Sequence, residues 1–171
     1  MKKILFTLLL AAISSAGVQA QDVLKEIVKS STAVCNDTTK DMASRKIAVF
    51  KVDECNYMRS KVFLNALSHK LTDAQINEKV KLLNEQSYAM FQYINLYLKR
   101  LTEAEKDKQK ALVTQYFKQA TMDYPLFHDT DTELIRSYYD RDDYPLQFSL
   151  DCNWVQALKV IRAMNWAKLL Q

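Results

Sequence analysis

The residues best equipped for chemistry lie close together, between Asp123 and Asp151. Eight acids (Asp123, Asp129, Asp131, Glu133, Asp140, Asp142, Asp143 and Asp151) stand there against Arg136 and Arg141, a local net charge of −6. Interleaved with them are Tyr124, Phe127, Tyr138, Tyr139, Tyr144 and Phe148, with Trp154 just beyond. Ring faces attract cations and stack on the apolar faces of sugars, while carboxylates accept hydrogen bonds, so the mixture suits either kind of ligand. The candidate binding residues are Tyr124, Phe127, Asp129, Asp131, Tyr138, Tyr139, Asp142, Asp143 and Tyr144. Paired carboxylates of this stretch could also cleave a glycosidic bond. The competing reading is structural: aromatics close one end of a helical bundle, and the two arginines pair with neighbouring acids.

Other constellations carry less. Asp129, Asp131, Glu133 and Asp140 occupy positions 1, 3, 5 and 12 of a calcium loop, but Leu134 stands where the turn needs glycine. Asp140 is also shorter than the bidentate glutamate of position 12, so an acidic turn at a helix start accounts for the same residues. With two histidines and no Cys-x-x-Cys or His-x-x-x-His spacing, neither a metal site nor a cofactor is expected. Cys152 near a helix start, with His128 as base, would make a nucleophile pair, although no spacing joins them. His69, after a helix end and beside Lys70, reads as a solvated cap residue.

Glycine is missing from almost the whole chain. Gly17 is the only one, and it falls in a segment with the pattern of a cleavable signal peptide. Met1-Lys2-Lys3 is basic, Ile4 to Ile13 is apolar apart from Thr7, and Val18-Gln19-Ala20 presents small residues to a peptidase. The apolar run is shorter than the roughly 20 residues that span a bilayer. Cleavage after Ala20 is expected, so that residues 1–20 leave and 21–171 form a single helical domain, periplasmic or extracellular, with no transmembrane segment. A mature chain without glycine has no phosphate-binding Gly-rich loop, no dinucleotide fingerprint and no Gly-x-Ser-x-Gly elbow. It also lacks the usual residues of tight hairpins, which disfavours a β fold.

Charge narrows the partners. The chain carries 24 Lys and Arg against 20 Asp and Glu, and the two lysines of the leader leave the mature part at +2. That balance is too small for dedicated nucleic-acid binding. Outside the acidic segment the mature chain is +8, a split that either orients a charged partner or marks two solvated faces.

The elements that would position these residues are helices. A short one is expected over 22–34, ended by Cys35-Asn36-Asp37-Thr38, and a second from Asp37 or Thr38 to about Leu67. Its apolar face is Ala48, Val52, Cys55, Met58, Val62 and Ala66. Thr72-Asp73-Ala74-Gln75 is a capping box opening the clearest helix, with Val80, Leu83, Ser87, Met90, Ile94, Tyr97 and Leu101 along its stripe. Thr102-Glu103-Ala104-Glu105 repeats the pattern and predicts a break near Leu101, with a further helix to about Met122. Asp-Tyr-Pro-Leu occurs at 123–126 and again at 143–146, and each proline turns the residue before it away from helix. Between them Thr130-Asp131-Thr132-Glu133 would cap a short helix to about Tyr139. A last helix is expected from Asp151 to Leu170, with Trp154, Leu158, Ile161 and Met164 inward.

The predicted fold is all-α: an antiparallel bundle of about four main helices, a short N-terminal helix, and an irregular acidic, aromatic insertion before the last helix. In an up-down bundle Cys152 comes nearer the height of Cys55 than of Cys35, while one continuous helix keeps Cys35 and Cys55 apart. A Cys55–Cys152 disulfide with Cys35 free is therefore expected in an oxidising compartment, against the alternative of three separate thiols. The sequence thus reads as an exported, non-enzymatic helical binding or interaction protein for a small molecule, peptide or carbohydrate. The alternatives are an extracytoplasmic hydrolase using carboxylates of 123–151 and an oligomerising helical scaffold.

Overall fold

The computed structural model describes residues 23–64, 71–136 and 144–170. The leader, the stretch up to Leu67 with Ala66, and His69 lie outside the described residues. The fold is all-α, and no strand occurs among the described residues. Among the described residues seven helices follow in order: α1 Val23–Asn36, α2 Met42–Val62, α3 Asp73–Glu103, α4 Asp107–Asp123, α5 Thr132–Ile135, α6 Trp154–Ala163 and α7 Trp166–Leu169. No described helix is long and apolar enough to cross a membrane.

Helix ends follow side chains that satisfy the first free amides. Thr72 and Gln75 form the expected capping box of α3: the Gln75 amide donates to Thr72 Oγ1 at 3.3 Å and the Thr72 amide to Gln75 Oε1 at 2.9 Å. The second box does not form. Thr102 Oγ1 donates back to the Leu98 carbonyl, α3 runs on to Glu103, and Gln109 Oε1 accepts from the Glu105 and Lys106 amides to start α4. The break therefore lies at Ala104–Lys106, after the expected Leu101.

The start of α2 is also later than expected. Asp37 Oδ1 is engaged by the amide and hydroxyl of Thr39, which closes a turn, and Asp41 caps α2 by accepting from Ser44. Likewise Asp131, rather than Thr130, caps α5 through the Leu134 amide. The single long C-terminal helix is two. Asn153 caps α6, Met164 adopts extended backbone, Asn165 caps α7, and Trp166 Nε1 donates to the Ile161 carbonyl across the bend.

Helix α3 is the central element and packs against α1, α2, α4 and α6. Helix α2 makes no close backbone approach to α4 or α6. Residues 144–153, the later described part of the predicted insertion together with the start of the expected last helix, fill that space as an extended strap. Leu146, Phe148 and Leu150 are almost completely buried, and Ser149, Asp151 and Cys152 are enclosed with them, so the strap is covered on more than one face. Phe148 meets Phe50 of α2, Tyr93 and Tyr97 of α3 and Trp154 of α6, with ring centroids 5.1–6.3 Å apart, mostly edge to face. What the sequence reading treats as an insertion is the middle of the core. Phe148→Ala is accordingly expected to cost about 3–5 kcal/mol in urea denaturation; a cost below about 1 kcal/mol would place the strap on the surface.

Candidate functional site

The acidic segment starts where α4 ends. After Asp123 the chain turns through Tyr124, Pro125 and Leu126, and a carboxylate from 25 residues later gathers the turn. Asp151 Oδ1 accepts from the Leu126 and Phe127 amides at 2.9 and 2.8 Å, and Oδ2 accepts from the Asp129 amide at 2.8 Å. Between those donors His128 has φ 51°, the one non-glycine residue with positive φ among those described. Such backbone costs a residue with a Cβ about 1–2 kcal/mol, which the charge-assisted clasp on both sides offsets.

Asp129 is as fully engaged. Its Oδ2 accepts from Tyr57 at 3.0 Å and pairs with the Lys61 ammonium, and its Oδ1 accepts from the Asp131 amide. The Lys61 hydrogen bond holds its carboxyl below the ordinary aspartate range. Asp131 is spent on the α5 cap. Phe127 lies edge-on to Tyr57 at 6.0 Å. The Tyr124 carbonyl accepts from the Asn153 amide, and Tyr144 is half-buried with Lys46 Nζ 5.5 Å from its ring centroid. Of the nine candidate binding residues, then, Tyr124, Phe127, Asp129 and Tyr144 tie the strap and its loop to one another and to α2, and Asp131 caps α5. Tyr138, Tyr139, Asp142 and Asp143 lie outside the described residues, as do Asp140 and Arg141.

This arrangement changes the chemical readings. Asp129 and Asp151 direct their oxygens to chain amides, a phenol and an ammonium, the wiring of a folded loop rather than of a general acid and base. Among the described residues no three His, Cys, Asp or Glu side chains converge as metal ligands.

The cysteines also differ from expectation. All three are free thiols, and the expected Cys55–Cys152 bridge is not formed. Cys55 turns toward α3, with Sγ 4.0 Å from Ser87 Oγ, and burial pushes its thiol up to about 12. Cys152, on the last turn of the strap, is completely buried, and burial together with Glu54 and Asp151 raises it well above the ordinary thiol range. His128 sits on the exposed loop, so the nucleophile pair does not assemble. Matching heights along a bundle places two cysteines in one layer but leaves open which neighbour each faces.

Two features went unread in the sequence. One is Glu54, completely buried on α2 and accepting from Trp154 Nε1 at 2.8 Å. The other is a groove of about 490 Å³ between α3 and α6, lined by Glu85, Tyr88, Ala89 and Gln92 on one side and Val155, Leu158, Lys159 and Arg162 on the other. Both sets have the spacing i, i+3, i+4, i+7, so each is one continuous ridge of its helix. Tyr88 and Val155 are 47% and 46% exposed, and an Arg162 to Gln92 hydrogen bond of 2.8 Å ties the two walls together. The repeated spacing was the available signal, but nothing in one helix's sequence says which ridge a distant helix will flank.

Compared with protein-family models, curated proteins and solved structures, the chain gives no significant match.

Two measurements check this description. Asp151→Ala strands three amides and should cost about 3 kcal/mol or more, against about 1 kcal/mol for the cap removed by Asp131→Ala, both read by urea denaturation. In native protein Cys35, the half-exposed thiol, should label first with a thiol reagent and Cys55 and Cys152 only on unfolding. Rapid labelling of Cys152, or an oxidised pair by mass spectrometry, would contradict the arrangement.

Proposed function

We propose that this chain is an exported, non-enzymatic helical interaction protein that takes a short amphipathic segment of a partner protein into the α3–α6 groove. The observation that carries the reading is the groove itself. Its wall exposes Tyr88 and Val155 beside Ala89 and Leu158, and its rim bears Lys159 and Arg162 against the single acid Glu85. Apolar side chains on such a floor favour an amphipathic helix with anchors three and four residues apart, and the basic rim favours carboxylates flanking those anchors. Export rests on the leader pattern of residues 1–20, which also assigns the partner to the periplasm or the exterior.

The test uses residues 21–171 against a displayed library of short helical peptides. Wild-type protein should enrich sequences with paired apolar anchors and flanking Asp or Glu. Tyr88→Ala combined with Val155→Asp should weaken the selected peptides at least about tenfold, roughly 1.4 kcal/mol, with the urea midpoint little changed because both side chains are half-exposed. Equal enrichment by wild type and double variant would remove the groove from consideration. Protein recovered from the producing cells should begin at Gln21 and sit outside the cytoplasm; an intact Met1 in the cytoplasm would defeat the export half.

A further inference from the structure

Glu54 has a partner for only one of its two oxygens. Oε1 accepts from Trp154 Nε1, Oε2 has no hydrogen-bond partner, and the side chain is fully enclosed. It occupies the surface where α2 meets the strap and α6, a contact made through side chains, with Phe50 edge-on to Trp154 at 6.2 Å on one side and Tyr57 on the other. An ionised carboxylate enclosed with one donor is expensive, whereas a carboxylic acid with the same bond is tolerated.

Among the described residues no cation acts on Glu54. Asp151 of the strap, 2% exposed, is the other carboxylate that acts on Glu54, and like charges in one enclosed space oppose double ionisation. Cys55 and Tyr57 of α2 and Cys152 of the strap lie within reach of its field, and each is pushed upward, first by burial, and so stays neutral. Trp154 of α6 is uncharged. Helix α3 supplies Gln86 and Ser87, both uncharged, with Gln86 Oε1 accepting from the Trp154 amide at 2.8 Å, and the phenol of Tyr93, donated to the Phe117 carbonyl. The lysines of α2 beside this surface are engaged elsewhere, Lys51 over the Phe91 ring and Lys61 on Asp129.

We propose that Glu54 is a proton-operated latch: with a proton on its carboxyl the strap 144–153 and the start of α6 close against α2, and loss of that proton loosens them. Burial first, then Asp151, raises its pKa well above the ordinary glutamate range, against the opposing Trp154 hydrogen bond. A carboxyl raised on folding favours the folded state fully below its unfolded value and loses that contribution as pH climbs toward the folded value. Closure therefore weakens with rising pH, the reverse of Asp129, which is lowered on folding and fails only in acid. The latch is independent of what the α3–α6 groove binds.

Amide exchange and urea denaturation of residues 21–171 from about pH 5 to about pH 8 test it, below the range in which thiols and phenols titrate. After correction for intrinsic exchange, opening at Leu150, Cys152 and Trp154 should grow up to about tenfold per pH unit within the window. Glu54→Gln, which keeps a carbonyl oxygen for Trp154 but cannot ionise, should flatten that dependence. Wild type should also show an infrared carbonyl band of a protonated, dry carboxylic acid near neutral pH, and Trp154→Phe, which removes the bond favouring the ionised form, should move its titration upward. Parallel pH profiles in wild type and Glu54→Gln would overturn the proposal. If that variant fails to fold, absence of the infrared band from wild type at neutral pH overturns it equally.

Discussion

The structure rests first on the Asp151 carboxylate of the strap, which clasps the backbone of the acidic loop. Its two oxygens gather three amides of the 126–129 loop. Three amides of the strap bond outside it: Ser149 donates to Thr121 Oγ1, Leu150 to the Ile135 carbonyl and Asn153 to the Tyr124 carbonyl. These bonds reach back to the end of α4 and to α5. The strap and the acidic loop are consequently one unit, and neither holds its shape without the other.

That unit makes the core possible. Helix α2 does not approach α4 or α6 directly, so the space between them is filled by Leu146, Phe148 and Leu150, with Trp154 at the head of α6. The rings of Phe50, Tyr93, Tyr97, Phe117, Phe148, Trp154 and Trp166 form a connected set across α2, α3, α4, the strap, α6 and α7. Two polar side chains accompany them inward. Gln86 is satisfied by Trp154 and Asn153, and Glu54 by Trp154 alone. The first locks the start of α6, while the second leaves a group whose protonation decides how well the layer closes.

Much of the helical content was legible in the residues, and its limits are instructive. The Thr72 box formed because its two partners lie three residues apart and nothing distant competes. The Thr102 box had the same letters, yet Leu98 offered Thr102 a carbonyl and Gln109 served the amides instead. The stripe of α2 was half visible: Ala48, Cys55, Met58 and Val62 are buried, but so are Phe50, Glu54 and Tyr57 on a second face. A charged residue at position 54 reads as solvent-facing until the strap is known to lie over it. The acidic and aromatic segment stands out in the sequence; its Asp129, Asp131 and Asp151 wire the fold, whereas the open groove is formed from residues with no distinctive chemistry.

By itself the sequence determined what depends on near neighbours: an all-helical class, from periodic apolar residues and the absence of glycine from Gln21 onward, and the Thr72–Gln75 cap of α3, whose partners lie three residues apart. It also placed the end of α4 near Asp123, because Pro125 removes a donor and restricts the residue before it. Tertiary structure alone decided the rest: that 144–153 runs through the core, that Asp151 clasps a loop more than 20 residues earlier, that Glu54 is enclosed with one donor, and that Cys55 faces Ser87. The physical reason is the same in each case. Enclosure and pairing across long separations are set by which surfaces meet, and a residue's own neighbours in the chain carry no record of them.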